Sequence, residues 1–150
     1  MIWKDNIGNK IHIGDLVFLY SGSRAHTIQK VKSLSVRKDI SEIETVVLEA
    51  GGTYYAEYVL SLTALGINEN VIFYEFAGKK GYDTLGHKLE IGDEVLYVHA
   101  KEYLGNIGTL KSMSDKTCLL SIKKNRFNQT EYRKQYKEVI SLSALKRIGE

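Results

Sequence analysis

The chain repeats itself, and that constrains its fold more than any other feature. Asp5-Asn6-Ile7-Gly8-Asn9-Lys10-Ile11-His12-Ile13-Gly14-Asp15-Leu16-Val17 recurs as Asp83-Thr84-Leu85-Gly86-His87-Lys88-Leu89-Glu90-Ile91-Gly92-Asp93-Glu94-Val95, 78 positions later. Ile28–Ser35 matches Ile107–Ser114 at an offset of 79, and Val59–Leu65 matches Val139–Leu145 at 80. Three matches in one order, with an offset that grows by one each time, are what loop insertions between fixed elements produce. The 150 residues therefore divide into a first unit over 1–66, a connector over 67–82 and a second unit over 83–150.

Each unit reads as β. Ile11-His12-Ile13 and Leu89-Glu90-Ile91 alternate apolar with polar, as a half-buried strand does. Gly14-Asp15 and Gly92-Asp93 then supply turn chemistry before Leu16–Tyr20 and Val95–Val98 resume the strand pattern. Further strands are expected at 29–36, 44–49 and 54–60, and at 108–113, 117–123 and 137–140. Residues 61–65 and their copy suit one short helical turn. No segment carries a long helical apolar stripe, so the class is all-β, with two small barrels in tandem. Each unit is marginal in size, burying only ~60% of its unfolded surface. The β-prone run Val71-Ile72-Phe73-Tyr74-Glu75-Phe76 in the connector needs burial. It is expected to complete the first barrel or wedge between the two, with at least two of Ile72, Phe73 and Phe76 buried.

Composition removes several classes of function. Apolar content of 43% and charged content of 26% are those of a globular chain. No apolar run approaches the ~20 residues of a membrane span, and the start lacks a signal-peptide core. A lone cysteine, Cys118, forms no internal disulfide and fits a reducing compartment, so the expected location is the cytoplasm or nucleoid. His12, His26, His87 and His99 have no metal-ligand spacing, and no nucleophile–base set converges. Asp15 and Asp93 stand at equivalent positions of separate units, where they accept backbone hydrogen bonds in turns. The expectation is a binding protein without cofactor or metal and without enzymatic activity.

An apolar strand, Gly14-Asp15-Leu16-Val17 or Gly92-Asp93-Glu94-Val95, a loop and a second strand form a pattern that resembles the KOW/Tudor group of SH3-like barrels. The second unit is the fuller match, with Gly105 and Gly108 both present, whereas Gln29 replaces the second glycine in the first unit. The resemblance implies two tandem SH3-like barrels and contact with nucleic acid or polymerase. A basic tandem of this kind is similar to T-even phage DNA-binding transcription modifiers, which implies host transcription or nucleoid proteins as further partners. Tudor barrels also form aromatic cages for cations, and Tyr54, Tyr55, Tyr58, Tyr97, Tyr103, Tyr132 and Tyr136 invite comparison.

Charge carries the functional expectation. Residues 5–66 hold six Lys/Arg against seven Asp/Glu, whereas 83–150 hold twelve against nine. Within 116–137 seven cations face only Glu131. Such a ridge is the electrostatic footprint of a phosphate backbone. The expected nucleic-acid contacts are Lys101, Lys111, Lys123, Lys124, Arg126, Arg133, Lys134 and Lys137, on double-stranded DNA in preference to RNA. Arg24, Lys30, Lys32, Lys79, Lys80, Tyr103 and Tyr132 form a secondary set, Lys79 and Lys80 lying in the Gly-Lys-Lys-Gly loop 78–81. With no helix to enter a major groove, sequence readout is expected to be weak. The alternative is a protein-binding adaptor whose Tudor-like grooves take a peptide or polymerase segment.

Overall fold

In the computed structural model, which describes residues 2–19, 22–39, 41–98, 107–123 and 129–149, the chain divides between Asn68 and Glu69 into two units. The first holds β1 (Leu16–Leu19), β2 (Thr27–Arg37), β3 (Ile43–Leu48), β4 (Thr53–Tyr55) and β5 (Val59–Ser61). The second holds β6 (Glu94–Tyr97), β7 (Ile107–Met113), β8 (Thr117–Lys123), β9 (Gln129–Gln135) and β10 (Val139–Ser141). Both five-stranded sheets are antiparallel, in the orders β4-β3-β2-β1-β5 and β10-β6-β7-β8-β9. Renumbering β6–β10 as β1–β5 makes the two orders identical. The protein is all-β in architecture, and the repeat in sequence is a repeat in topology.

The long second strand of each sheet slips register at one place, between Val31 and Ser33 in β2 and between Leu110 and Ser112 in β7. A bulge there bends the strand and leaves one residue outside the ladder. That residue is a lysine in both copies, Lys32 and Lys111, and both are exposed. Val17, Leu19, Val31, Val46, Leu48 and Val59 fill the first core; Leu89, Val95, Leu110, Cys118, Leu120 and Val139 fill the second.

Two buried aspartates fasten each unit. Asp5 Oδ2 accepts from the Ser61 N–H at 2.8 Å, and Asp83 Oδ2 from the Ser141 N–H at 2.8 Å. The serine hydroxyls reach Asp15 and Asp93 at 3.4 and 3.1 Å. Asp15 and Asp93 also accept the backbone N–H of His12 and Glu90, which is the turn role expected of them. A carboxylate out of water needs such donors. Burial still outweighs them at Asp5 and raises its pKa.

Several expected elements take another form. Ile11-His12-Ile13 is not a strand: Ile11 is 3% exposed, but Ile13 is 66% exposed and already in the turn whose Gly14 N–H donates to Val31 O. Residues 54–60 split into β4, a 3-10 turn at Ala56–Tyr58 and β5, and Tyr136–Glu138 forms the same turn before β10. The first unit ends in the 3-10 turn Thr63–Leu65, but the second ends in a helix, α1 (Leu142–Gly149). Residues 71–76 form no strand and fold with the second unit. A 3-10 turn at Glu69–Val71 leads into hydrogen-bonded turns, with Ile72 buried but Phe73 and Phe76 41% and 38% exposed. Two of three apolar side chains therefore stay in contact with water. Phe76 is partly covered by its own neighbour Tyr82, stacked at 4.9 Å. No helix among the described residues is long and apolar enough to cross a membrane.

Candidate nucleic-acid interface

Antiparallel pairing determines where the cations of 116–137 fall. β8 and β9 pair from Thr117↔Gln135 to Lys123↔Gln129. Seven residues of strand span ~20 Å, so the run divides between the two ends of the hairpin. Lys116, Arg133, Lys134 and Lys137 belong to the end where β8 begins. Lys123, the last residue of β8, belongs to the other end. Lys124 and Arg126, with Lys101 and Tyr103, lie outside the described residues.

The Thr117 end gathers cations from three segments. Loop 78–81 packs on the 3-10 turn so closely that a Cβ on Gly78 would sit 3.1 Å from Lys137 Cβ. Its Lys80 forms a 2.7 Å ion pair with Asp115 in the β7–β8 turn. That turn is tied to the 3-10 turn by the Tyr136 hydroxyl, which donates to Ser114 O. Lys79, Lys80, Lys116, Arg133 and Lys137 are all exposed here. Lys134 differs, because strand alternation turns it to the opposite face from Arg133. It lies 4.5 Å from the Tyr97 ring centre and 5.5 Å from that of Tyr132, as a cation held over aromatic faces.

Burial sharpens the sign of this surface. Asp83, Asp93 and Glu138 are three of the nine acids in 83–150, and all three are buried. Glu138 is spent on the Gln135 N–H at 2.9 Å. Glu138, in the 3-10 turn beside Lys137, therefore presents no exposed carboxylate to offset the cations at this end.

In the first unit Lys30 and Lys32 are exposed on β2, and Arg24 is engaged with Ala50 O at 2.9 Å. This unit holds a different feature, a cleft of about 560 Å³ lined by Tyr54, Tyr55, Tyr58, Arg37, Ser35 and Thr45. Tyr55 and Tyr58 meet edge to face at 5.6 Å. Arg37 donates to the Tyr55 hydroxyl at 2.7 Å and to Asp39 at 2.6 Å. The tyrosines were conspicuous in the sequence, but their convergence with Arg37 depends on the β3–β4 pairing.

Cys118 is 1% exposed, and burial pushes its thiol up to about 11, far from a reactive thiolate. No group of three or more potential metal ligands occurs among the described residues. Fold and surface together define a two-unit antiparallel β protein with a basic face on its second unit. No protein-family model matches the chain, and no curated protein matches it.

Proposed function

We propose that each unit is an SH3-like barrel of the KOW/Tudor type and that the second binds duplex DNA through its phosphates, in the service of transcription or nucleoid organisation. The strand order, the bulged second strand and the 3-10 turn before the last strand support the barrel assignment. The observation that carries the DNA reading is the convergence of Lys79, Lys80, Lys116, Arg133 and Lys137 from separate segments, with Asp115 as the acid paired among them. Phosphate contacts of this kind give affinity without reading sequence. The test is a variant in which Lys79, Arg133 and Lys137 become Glu, titrated with two unrelated duplexes at two salt concentrations. Affinity falls on both duplexes, and the slope of log K against log[salt] flattens by ~0.9 for each phosphate contact removed. Equal affinity for parent and variant rejects the assignment.

The first unit's tyrosine cleft favours a second reading, an adaptor that takes a peptide. A groove-bound peptide releases few counterions, so its affinity responds weakly to salt. Tyr55→Ala separates the readings, since it removes a cleft wall and leaves the second unit's cations in place.

A further inference from the structure

The repeat allows one unit to serve as the control for the other. The turns Asp5–Asn9 and Asp83–His87 are built alike. Asp5 Oδ1 accepts the N–H groups of Ile7 and Asn9, and Asp83 Oδ1 accepts those of Leu85 and His87. Each turn places its glycine at positive φ, +89° at Gly8 and +84° at Gly86.

What lies over the two turns differs. In the second unit residues 69–76 form a strap across it. The Phe73 N–H donates to Leu85 O at 2.9 Å, and His87 Nε2 donates to Val71 O. The Phe73 and His87 rings meet edge-on at 6.0 Å. The strap is so close that a Cβ on Gly86 would stand 2.7 Å from the Phe73 carbonyl carbon. Thr84, Leu85, Gly86 and His87 are all buried.

In the first unit the same turn is open. Gly8 is exposed, Ile7 and Asn9 are half-buried, and a Cβ on Gly8 would meet nothing within 4 Å. Ile7 O, the counterpart of Leu85 O, accepts no hydrogen bond among the described residues. At the preceding position Asn6 has its amide nitrogen and oxygen both shielded from water and both without a partner among the described residues. A shielded polar group without a partner is uncommon and calls for an explanation.

We propose that the Asn6–Asn9 turn is a docking site for a short apolar segment of a partner protein, gripped as the second unit grips its own strap. Ile7 O takes the incoming N–H, and the Asn9 carboxamide supplies the donor that His87 supplies in the other copy. Gly8 leaves the path of the backbone clear. The occupant carries an aliphatic–aromatic pair like Ile72-Phe73, the part of the strap that crosses the turn. This site is separate from the DNA reading and survives its failure.

The probe is a capped synthetic peptide with the sequence of residues 69–77, added to the ¹⁵N-labelled full chain. Saturable shifts are expected at the amides of Ile7, Gly8 and Asn9 at sub-millimolar to millimolar peptide. Gly8→Ala, which places a methyl where the peptide backbone must lie, abolishes them. Because that variant is strained at positive φ, Asn9→Ala provides a second check. It keeps the backbone N–H bonded to Asp5, and weakens binding at least tenfold. Shifts confined to Leu85–His87, no shifts at millimolar peptide, or full affinity in Asn9→Ala each overturn the proposal.

Discussion

Arg147 grips Asp93 through both terminal nitrogens, Nη1 to Oδ1 at 2.7 Å and Nη2 to Oδ2 at 2.9 Å. Asp15, the matching carboxylate of the first unit, has no guanidinium partner among the described residues, only His12 Nδ1 at 3.8 Å. Eighty positions before Arg147 stands Ile67, which is buried. Helix α1 carries the guanidinium across to Asp93, whereas the first unit stops after one 3-10 turn. Burial alone would raise the Asp93 pKa, but Arg147, the Glu90 N–H and the Ser141 hydroxyl outweigh it and hold it below the ordinary value.

Truncating Arg147 to Ala strips a 5%-exposed carboxylate of its cation. The expected cost to the second unit is ~1–3 kcal/mol. Amide hydrogen exchange in β6 and β10 reads it directly. The parent's stabilisation through Asp93 is present above the ordinary carboxylate pKa of ~3.9 and is lost as pH falls through the lower folded value. Unchanged protection in β6 and β10 of the variant contradicts this.

His87 governs the other side of the pH scale. Burial disfavours its cation, but the Asp83 carboxylate and Val71 O outweigh that, so its pKa is raised above 6.5. Its Nδ1 stands 3.6 Å from Asp83 Oδ2, an ion-pair distance that leaves this nitrogen without a hydrogen bond. A raised histidine pKa adds stability in full below the unfolded value, and the gain disappears as pH rises through the folded value. The second unit should therefore lose stability as pH rises above ~6.5 and through the raised folded value. His87→Asn installs the first unit's residue and should remove that slope in thermal unfolding. A slope that survives the substitution assigns the effect to another group.

Cys118 should be silent toward thiol reagents at pH 8 in the folded protein and react fully once denatured. Its thiol is buried, with its pKa pushed up to about 11. Rapid native-state labelling indicates that the β7–β8–β9 core opens.

Reversal of Lys123, Lys124 and Arg126 to Glu tests the basic run at and after the end of β8 in the sequence. The fold should persist, because surface changes usually alter stability by under ~0.5 kcal/mol each. DNA affinity should fall by a similar factor on unrelated duplexes, with a flatter salt dependence. Reversing Arg24, Lys30 and Lys32 should matter less, since the first unit's acids balance its cations. If this triple variant binds as the parent does, the interface is confined to the Thr117 end.

The sequence made the repeat, the Gly-Asp turns and most strands legible, because short-range periodicity and turn chemistry report on them. It also pointed to Arg133, Lys137, Lys79 and Lys80, though as one ridge and a separate loop. Pairing of Thr117 with Gln135 is what splits that ridge and brings the loop to one end of it. Bonds such as Ser141 to Asp83 join residues 58 apart, and no local pattern reports such a distance. The trace that was available was the recurrence of Asp5 and Ser61 as Asp83 and Ser141. The strap is not legible in the sequence, because an apolar run has the same composition whether it pairs in a sheet or lies across a turn.

Gly86→Ala and Gly8→Ala ask how much the strap contributes. Both glycines have positive φ, so each alanine meets a left-handed backbone penalty of ~1–2 kcal/mol. At Gly8 that is the whole cost, because the new methyl meets nothing within 4 Å. At Gly86 the methyl also enters the space of the Phe73 carbonyl, so the strap must lift. Lifting it breaks the Phe73–Leu85 and His87–Val71 hydrogen bonds and exposes Ile72, Leu85 and His87 to water. Loss of those contacts should add at least ~2 kcal/mol beyond the backbone penalty. The Phe73 amide should then exchange within the dead time in Gly86→Ala and remain protected in Gly8→Ala. Equal destabilisation by the two substitutions would mean that the strap rests on the second unit without stabilising it.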